Sequence, residues 1–529
     1  MIQELKKLLL PLQLCLHTTF RELLSLSAAL VEARQDQMEK PFIRNYGSQL
    51  RFVFLVIVVF WILLLRIYYS CVTGSKFDIK LLVNSYVNAY LGNNNNITKV
   101  NLDLCLGRHI YIHDLPSRFN EDVVKNCNFT VPGTNKFPLC KYAENSGYGP
   151  QIENSSRILS NKSWFATNQF LLEVIFHNRM KTYECLTNDS SIASAIFVPY
   201  YLCLDIMPYL WGNFDLSMKD SPGLNLLKWV AERPEWKRMW GRDHFLIGGR
   251  IATDFRREID RRGAWGSKFR FFPESNNITM LSIEASPWNN DLAIPYPTSF
   301  HPSEDSEVVE WQDRMRRQER PYLFSFSGAP RPSMKTSIRS ILIDQCQASS
   351  STCKLLDCRE GVTNCDNPIH VMKLYQSSIF CLQPPGDSLT RRSAFESILS
   401  GCIPVFFHPG SAYMQYTWHL TKNYTKYSVF IPEKNLWVRE FRVNKTLIKF
   451  SKEEVAAMRE EVIRLIPGII YSDPRRVRKD EILGDAFDLA VKGILERIEK
   501  FRSAIREGKD PSIGFAERNN SKFKDANIV

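Results

Sequence analysis

Several signatures of familiar chemistry are missing from this sequence. It holds no Asp-x-Asp pair, no G-x-x-x-x-G-K-[ST], no H-E-x-x-H and no G-x-S-x-G. The last three absences remove support for P-loop hydrolase, zinc protease and α/β-hydrolase chemistry. The first bears on diphosphate ligands. Holding one through a divalent cation needs clustered carboxylates, so a diphosphate here is expected to bind without metal. No internal repeat is evident. With 24 Gly and 27 Pro in 529 residues, a collagen-like or low-complexity chain is excluded. Thirteen cysteines are too few for a small disulfide scaffold.

What is present is apolar material for more than one core. The chain is 44% hydrophobic and 23% charged, and at about 150 residues per domain its length implies two to four domains. Lys and Arg number 68 against 56 Asp and Glu, a net charge of +12. That excess points to nucleic acid, an anionic membrane face or a phosphate-bearing ligand.

An anchor narrows the choice. Phe52 to Leu65 is an unbroken run of fourteen apolar residues between Arg51 and Arg66. A full span takes about 20 residues, but flanking arginines snorkel, and Ile67, Tyr68 and Tyr69 add an interfacial belt. We expect a cytosolic tail over 1–50, a transmembrane anchor over 51–70 and an Asn-rich stem over 71–104. Asn-x-Ser/Thr triplets occur at Asn96, Asn128, Asn154, Asn161, Asn188, Asn277, Asn423, Asn444 and Asn519, and none precedes the apolar run. The body is therefore expected in a lumen, as a single-pass type II protein, which excludes nucleic acid as a partner. Eleven cysteines lie at or beyond position 105, where disulfides would persist. Cys346, Cys353, Cys358 and Cys365 lack the C-x2-C pairs of zinc sites and read as two disulfides. Cys105, Cys127 and Cys140 are placed to pair among themselves, and an odd total leaves at least one thiol over.

From position 105 short apolar runs alternate with helical stretches, the pattern of βα units around buried parallel sheets. Strands are expected at 109–116, 195–201, 244–249, 280–285 and 292–297, then at 322–328, 378–387, 402–407 and 427–432. Helices are expected over Leu226–Trp240, Ser333–Gln345, Ser388–Ser400 with Gly401 as its cap, and Asp480–Phe501. The polar stretch between the two strand sets is taken as a join. This divides the body into a lobe at 105–300, a linker at 301–320, a second lobe at 321–478 and a C-terminal helix and tail at 479–529. The fold class is α/β, with two Rossmann-like lobes.

Two loops of the second lobe look built for an anion. After Gly328, Arg331 leads into a helix on which Lys335 and Arg339 would share a face. After Pro384 and Pro385 come Gly386, Asp387 and Ser388, then Arg391 and Arg392 in the first turn of a helix. Cations there oppose the macrodipole by about 0.3–1 kcal/mol each, unless a diphosphate sits over the free N–H groups. Glu396, one turn deeper, is suited to ribose hydroxyls; the competing reading is an Arg392–Glu396 pair on a solvated face. In the first lobe His113, Asp114, Asp205, Asp243 and His244 lie at strand edges. Asp205, Asp243 and His244 are the candidates for a general base, and Trp288 and Tyr296 for stacking on a carbohydrate acceptor. Arg256, Arg257, Arg261 and Arg262 read as solvated surface.

The segments YIHDLPSRFN (111–120), GRDHFLIGGR (241–250), DLAIPYPTSFHP (291–302), FSFSGAPRP (324–332) and FCLQPPGDSLTRRSAFESILSGCIPVFFHPGSAYMQYTWHL (380–420) resemble the exostosin-like glycosyltransferases. The resemblance covers about residues 105–500 and is closest to the plant xyloglucan galactosyltransferase branch. It implies a Golgi enzyme of GT-B fold that moves a sugar, with inversion, from a UDP-sugar to a polysaccharide side chain. The nearest branch implies UDP-galactose and xyloglucan, and its relatives also transfer galacturonic acid or arabinose. By motif, Pro384 to Arg392 and Glu396 would hold the nucleotide, and Gly328 and Arg331 would face the phosphates. The resemblance implies an Asp at position 396 in many relatives, where this sequence has Glu. No cofactor is implied, since the UDP-sugar is a substrate. The partners implied are donor, polysaccharide acceptor, the Golgi membrane and homo- or hetero-oligomers with other Golgi glycosyltransferases. A non-catalytic glycan-binding subunit of a synthase complex is the competing class, but it has no need of the arginine-rich loop.

Overall fold

A computed structural model describes residues 105–127, 139–153, 158–359, 365, 367–475 and 484–519. The chain divides into the units Met1–Asp103 and Leu104–Val529, and every described residue belongs to the second. The expected tail, anchor and stem lie outside the described residues. Among the described residues no helix is long and apolar enough to cross a membrane.

Two five-stranded sheets, both wholly parallel, organise the fold. The first takes β1 (Ile110–Ile112), β2 (Ala195–Phe197), β3 (His244–Ile251), β4 (Thr279–Glu284) and β5 (Asp291–Ala293) in that spatial order. All six residues of β4 and seven of the eight in β3 are buried. That is why both read as continuous apolar runs rather than alternating ones. The second sheet comprises β6 (Tyr322–Gly328), β7 (Cys353–Asp357), β8 (Ser378–Gln383), β9 (Ile403–Phe406) and β10 (Val429–Phe430), ordered β10-β9-β8-β6-β7. The chain leaves β6 toward one edge and returns to build the other. The strand order therefore reverses between β6 and β8, the kind of switch point where α/β sheets bind ligands at their carboxyl ends.

Each of the nine expected strands overlaps an observed one. The tenth, β7, has no clear apolar signal because it sits in the cysteine-rich stretch and most of its residues are only partly buried. The helices used below are α1 (Leu172–Met180), α2 (Leu202–Leu210), α3 (Leu216–Ala231), α4 (Asp305–Arg317), α5 (Arg339–Ala348), α6 (Arg392–Leu399), α7 (Lys452–Arg464) and α8 (Ala486–Arg506). Gly401, with φ of 65°, closes α6 in the left-handed conformation, as its sequence position predicts.

Four expectations need correction. The 301–320 linker is largely α4, which buries Val308, Trp311 and Met315 at helical spacing, and Trp311 Nε1 donates to the Leu399 carbonyl; its polar majority masked the narrow apolar stripe. Helix α8 starts at Ala486 and returns to the first lobe, where Phe487 packs on Phe176 of α1 and Arg502 donates to the Ser194 carbonyl. Pro234 starts a separate short helix, so the expected 226–240 helix is broken after α3. Finally, Arg256 and Arg257 are buried: Arg256 pairs with Asp291 at 2.7 Å and Arg257 with Asp220 at 2.5 Å.

The cysteine cluster forms the two expected disulfides, Cys346–Cys353 and Cys358–Cys365. Cys127 pairs with Cys140, but Cys105 reaches Cys185 instead, and Cys381 joins Cys402. Cys203 is the thiol left over among the described residues, and it is buried.

Candidate active site

At the switch point of the second sheet, the loops after β6 and β8 bring three guanidinium groups together. Arg331 pairs with Asp387 at 3.0 Å. Arg339, the first residue of α5, is buried beside Gly328; a Cβ on that glycine would lie 2.7 Å from Arg339 Nη2. Arg391 lies still closer to Gly386, where a Cβ would fall 1.0 Å from its Nη2. Both glycines are thus required for guanidinium groups to lie against the backbone. Burial, followed by repulsion from Arg391 and Arg331, lowers the Arg339 pKa to about 9. Burial lowers that of Arg391 as well. Nε and Nη2 of Arg391 and Nε of Arg339 are buried with no hydrogen-bond partner among the described residues. Three guanidinium groups facing the one carboxylate of Asp387 leave two positive charges, the complement of a diphosphate diester.

A cavity of about 460 Å³ adjoins this cluster, bounded by both sheets. The first lobe contributes Ile251 at the end of β3 and Glu284 at the end of β4. The second contributes Thr336 and Ser337 after β6, Pro385 to Leu389 after β8, and His408 after β9. Glu284 is buried, and its Oε2 accepts from the Thr390 backbone N–H at 2.7 Å and the Thr390 hydroxyl at 2.6 Å. Burial raises its pKa, and the Thr390 hydrogen bonds offset that only in part. Thr390 immediately precedes Arg391, so one residue couples the carboxylate of the first lobe to the arginine loop of the second. A carboxylate of raised basicity that lines a cleft beside an anion site is the arrangement that general-base chemistry requires.

The Exostosin GT47 domain model matches residues 104–446. Xyloglucan galactosyltransferase MUR3 of Arabidopsis thaliana is 52% identical over 422 residues, covering 80% of this chain and 67% of that protein. Probable xyloglucan galactosyltransferase GT14 of Arabidopsis thaliana is 54% identical over 395 residues, 75% of each chain. Xyloglucan-specific galacturonosyltransferase 1, also from Arabidopsis thaliana, is 39% identical over 398 residues, 75% of this chain and 58% of that protein.

The chain belongs to the exostosin GT47 family.

It is a glycosyltransferase, and the family match takes in both sheets and the cleft between them. In this exostosin GT47 chain the predicted donor residues separate into two groups. Gly328, Arg331, Gly386, Asp387, Ser388 and Arg391 gather around the cavity and its arginine cluster. Lys335 does not join them: it is exposed, and the cavity is lined by its neighbours Met334 and Thr336. The helix expected from Ser333 begins only at Arg339, so Lys335 and Arg339 share no helical face. Likewise α6 begins at Arg392 rather than Ser388, with Arg391 at its N-cap. Arg392 consequently turns toward the first lobe, donating to the Thr167 carbonyl at 2.6 Å and the Ser299 hydroxyl at 2.9 Å. Its Nε pairs with Glu396 at 3.0 Å. The Arg392–Glu396 pair does form, but partly buried at the junction of the lobes rather than on a solvated face.

The three base candidates fall elsewhere. Asp243 and His244 are fully buried at the amino end of β3, whereas the cleft lies at its carboxyl end. Asp243 accepts from His244 at 2.8 Å and pairs with Arg238, and His244 Nε2 lies 3.2 Å from His113 Nε2. Burial drives the His113 pKa to about 3. Burial raises the Asp243 carboxyl, but the His244 hydrogen bond and Arg238 outweigh it and hold it below its usual value. Asp205 on α2 takes the Tyr200 hydroxyl, and burial pushes its pKa to about 6; it does not line the cleft cavity. The aromatic candidates are engaged too. Trp288 covers the Arg256 guanidinium at 4.5 Å, and buried Tyr296 shares a hydrogen bond with the Thr390 hydroxyl at 3.0 Å. Glu284 is not among the sequence candidates, although a lone carboxylate ending the apolar run MLSIE marks the carboxyl edge of a buried parallel strand.

Proposed function

We propose that this glycosyltransferase moves galactose from UDP-galactose to the side chains of xyloglucan, by inversion, on a GT-B scaffold of two Rossmann-like lobes. Glu284, which lines the cavity beside the Arg331–Arg339–Arg391 cluster and is tied to that cluster through Thr390, carries this reading. The arginines hold the diphosphate and take up the negative charge that grows on it as UDP leaves, with no metal required. Glu284 accepts the proton of the attacking hydroxyl. The acceptor oxygen bonds to the anomeric carbon while the bond from that carbon to the phosphate oxygen breaks, its electron pair leaving with UDP.

Galactose rather than galacturonic acid is favoured by the cavity wall. Glu284, Asp387 and Glu433 line it, with His408 as its one basic residue among those described. A uronate carboxylate would be repelled there. Two Arabidopsis galactosyltransferases, MUR3 and GT14, are also closer in sequence than the galacturonosyltransferase. We place the enzyme in the Golgi membrane as a type II protein held by residues 51–70. The one-sided glycosylation triplets and five disulfides among the described residues support an oxidising lumen.

The test uses full-length protein, UDP-galactose and galactose-free xyloglucan in the presence of chelator, with product linkage read by NMR. A new β-galactosyl linkage is expected. Glu284→Gln should lower turnover by about 10²–10⁴-fold while UDP affinity stays within about threefold. Transfer from UDP-galacturonic acid alone would replace the donor, and glycan binding without transfer from any UDP-sugar would support the scaffold class instead.

A further inference from the structure

One rim of the cleft carries an aromatic surface with no part in the reaction described above. Beyond the carboxyl end of β3, Trp265 stands 44% exposed on the loop that follows Ala252–Phe255. Its ring meets Trp211 edge to face at 5.4 Å, and its Nε1 donates to Asp254 Oδ1 at 2.7 Å. Asp254 also pairs with Arg250 at 2.6 Å. The Arg250 guanidinium is enclosed by Phe170, Trp265 and Trp211, at 4.7, 5.6 and 5.9 Å from their ring centres. Arg250 is 8% exposed, and its Nη1 has no hydrogen-bond partner among the described residues.

This surface is held firmly. Gly266, with φ of +80°, brings the loop so close to Asp254 that a Cβ would lie 2.3 Å from the Asp254 carbonyl oxygen. Ser267 N–H donates to that carbonyl at 2.8 Å. Buried Lys219 on α3 donates to the Ala264 carbonyl at 2.6 Å, and Asp220 pairs with Arg257 beneath. An exposed indole costs solvation, and a surface aromatic kept in one place by buried ionic contacts is pre-organised for a ligand. The site adjoins the reaction cavity. Ile251, which follows Arg250, lines that cavity together with Thr253, and Ile251 is the register partner of Glu284 across the sheet.

We propose that Trp265, Trp211 and Arg250 form the docking platform for the polysaccharide acceptor, binding a sugar ring one or more residues away from the one that reacts. The inference rests on the glycosyltransferase reading and adds the place where the acceptor chain lies. A sugar presents a C–H face that stacks on the exposed Trp265 indole, whose position Trp211 and the buried Arg250 fix. The ligand is neutral, because Arg250 is already balanced by Asp254. A phosphate-rich polymer or an anionic lipid surface would need unpaired cations.

The experiment compares full-length wild type with Trp265→Ala and Trp265→Phe. KM and kcat are measured with polymeric xyloglucan and with a short oligosaccharide that fills the cavity alone, and acceptor and UDP binding are measured by calorimetry. Trp265→Ala should raise the polymer KM and acceptor Kd about tenfold. Its kcat, its short-acceptor KM and its UDP affinity should stay within about twofold, and Trp265→Phe should recover most of the loss. Unchanged polymer KM and Kd in a variant that still binds UDP would overturn the platform, as would an equal loss with the short acceptor. If wild type transfers nothing yet binds glycan, and Trp265→Ala abolishes that binding, the platform stands and the catalytic reading falls.

Discussion

At the scale of single residues, the donor site works by crowding charges of one sign. Arg331, Arg339 and Arg391 repel one another, and burial deprives Arg339 and Arg391 of water that would screen the repulsion. An incoming diphosphate relieves both costs, so one of these arginines is worth more to the complex than to the empty enzyme. Arg391→Gln should weaken UDP binding by about 10–100-fold, the loss of one or two charge-assisted hydrogen bonds. The melting temperature of the empty enzyme should hold or rise. Calorimetry with UDP and thermal unfolding check the two halves, and affinity within threefold of wild type would remove Arg391 from the site. The sequence candidates that the structure brings together are those set in a strand–loop–glycine context: Gly328, Arg331, Gly386, Asp387 and Arg391. Lys335, Arg392 and Glu396 lie apart from that cluster, because their placement depends on where a helix starts. The start of α6 four residues late is enough to rotate Arg392 from the anion to the first lobe. Arg339 joins the cluster as the first residue of α5 rather than from a face shared with Lys335, and Glu284 ends an apolar run.

At the scale of elements, hydrophobic continuity made nearly every strand legible, since a parallel strand buried on both faces has little room for polar residues. Pairing partners over long separation were not legible. The return of α8 to the first lobe rests on Phe487 against Phe176 and on Arg179 with Asp485, contacts more than 300 residues apart in sequence. Helix α8 lies beyond the region matched by the family model, yet its buried face belongs to the one core that runs through both sheets. Phe487 is fully buried. Phe487→Ala should therefore cost about 3–5 kcal/mol of unfolding free energy, read from denaturant midpoints. A loss under about 1 kcal/mol would mean that α8 is peripheral to the lobe.

At the scale of the whole molecule, the two sheets present their carboxyl ends to one cavity, and the +12 charge matters there through three arginines rather than through the surface at large. The same architecture sets a dependence on pH. Glu173 on α1 is fully enclosed; its Oε1 accepts from Cys203 N–H at 2.6 Å and Gly249 N–H at 3.0 Å, joining α1, α2 and β3. Its Oε2 has no partner among the described residues, and burial pushes its pKa to about 8. An unfolded chain returns it to roughly 4.3. Between those values the folded state holds a proton that the unfolded state has released. Stability from this group is complete below the lower value, falls as pH rises toward 8, and is level beyond it. Glu173→Gln keeps the acceptor oxygen and cannot ionise. Asp205, also raised by burial, and the depressed histidines titrate in both proteins, so the difference between the two curves isolates Glu173. Denaturant midpoints taken from pH 5 to pH 9 should show wild type losing stability relative to Glu173→Gln up to pH 8, then running parallel to it. Parallel curves over the whole range would mean that Glu173 is already ionised in the fold, with its unpartnered oxygen hydrated.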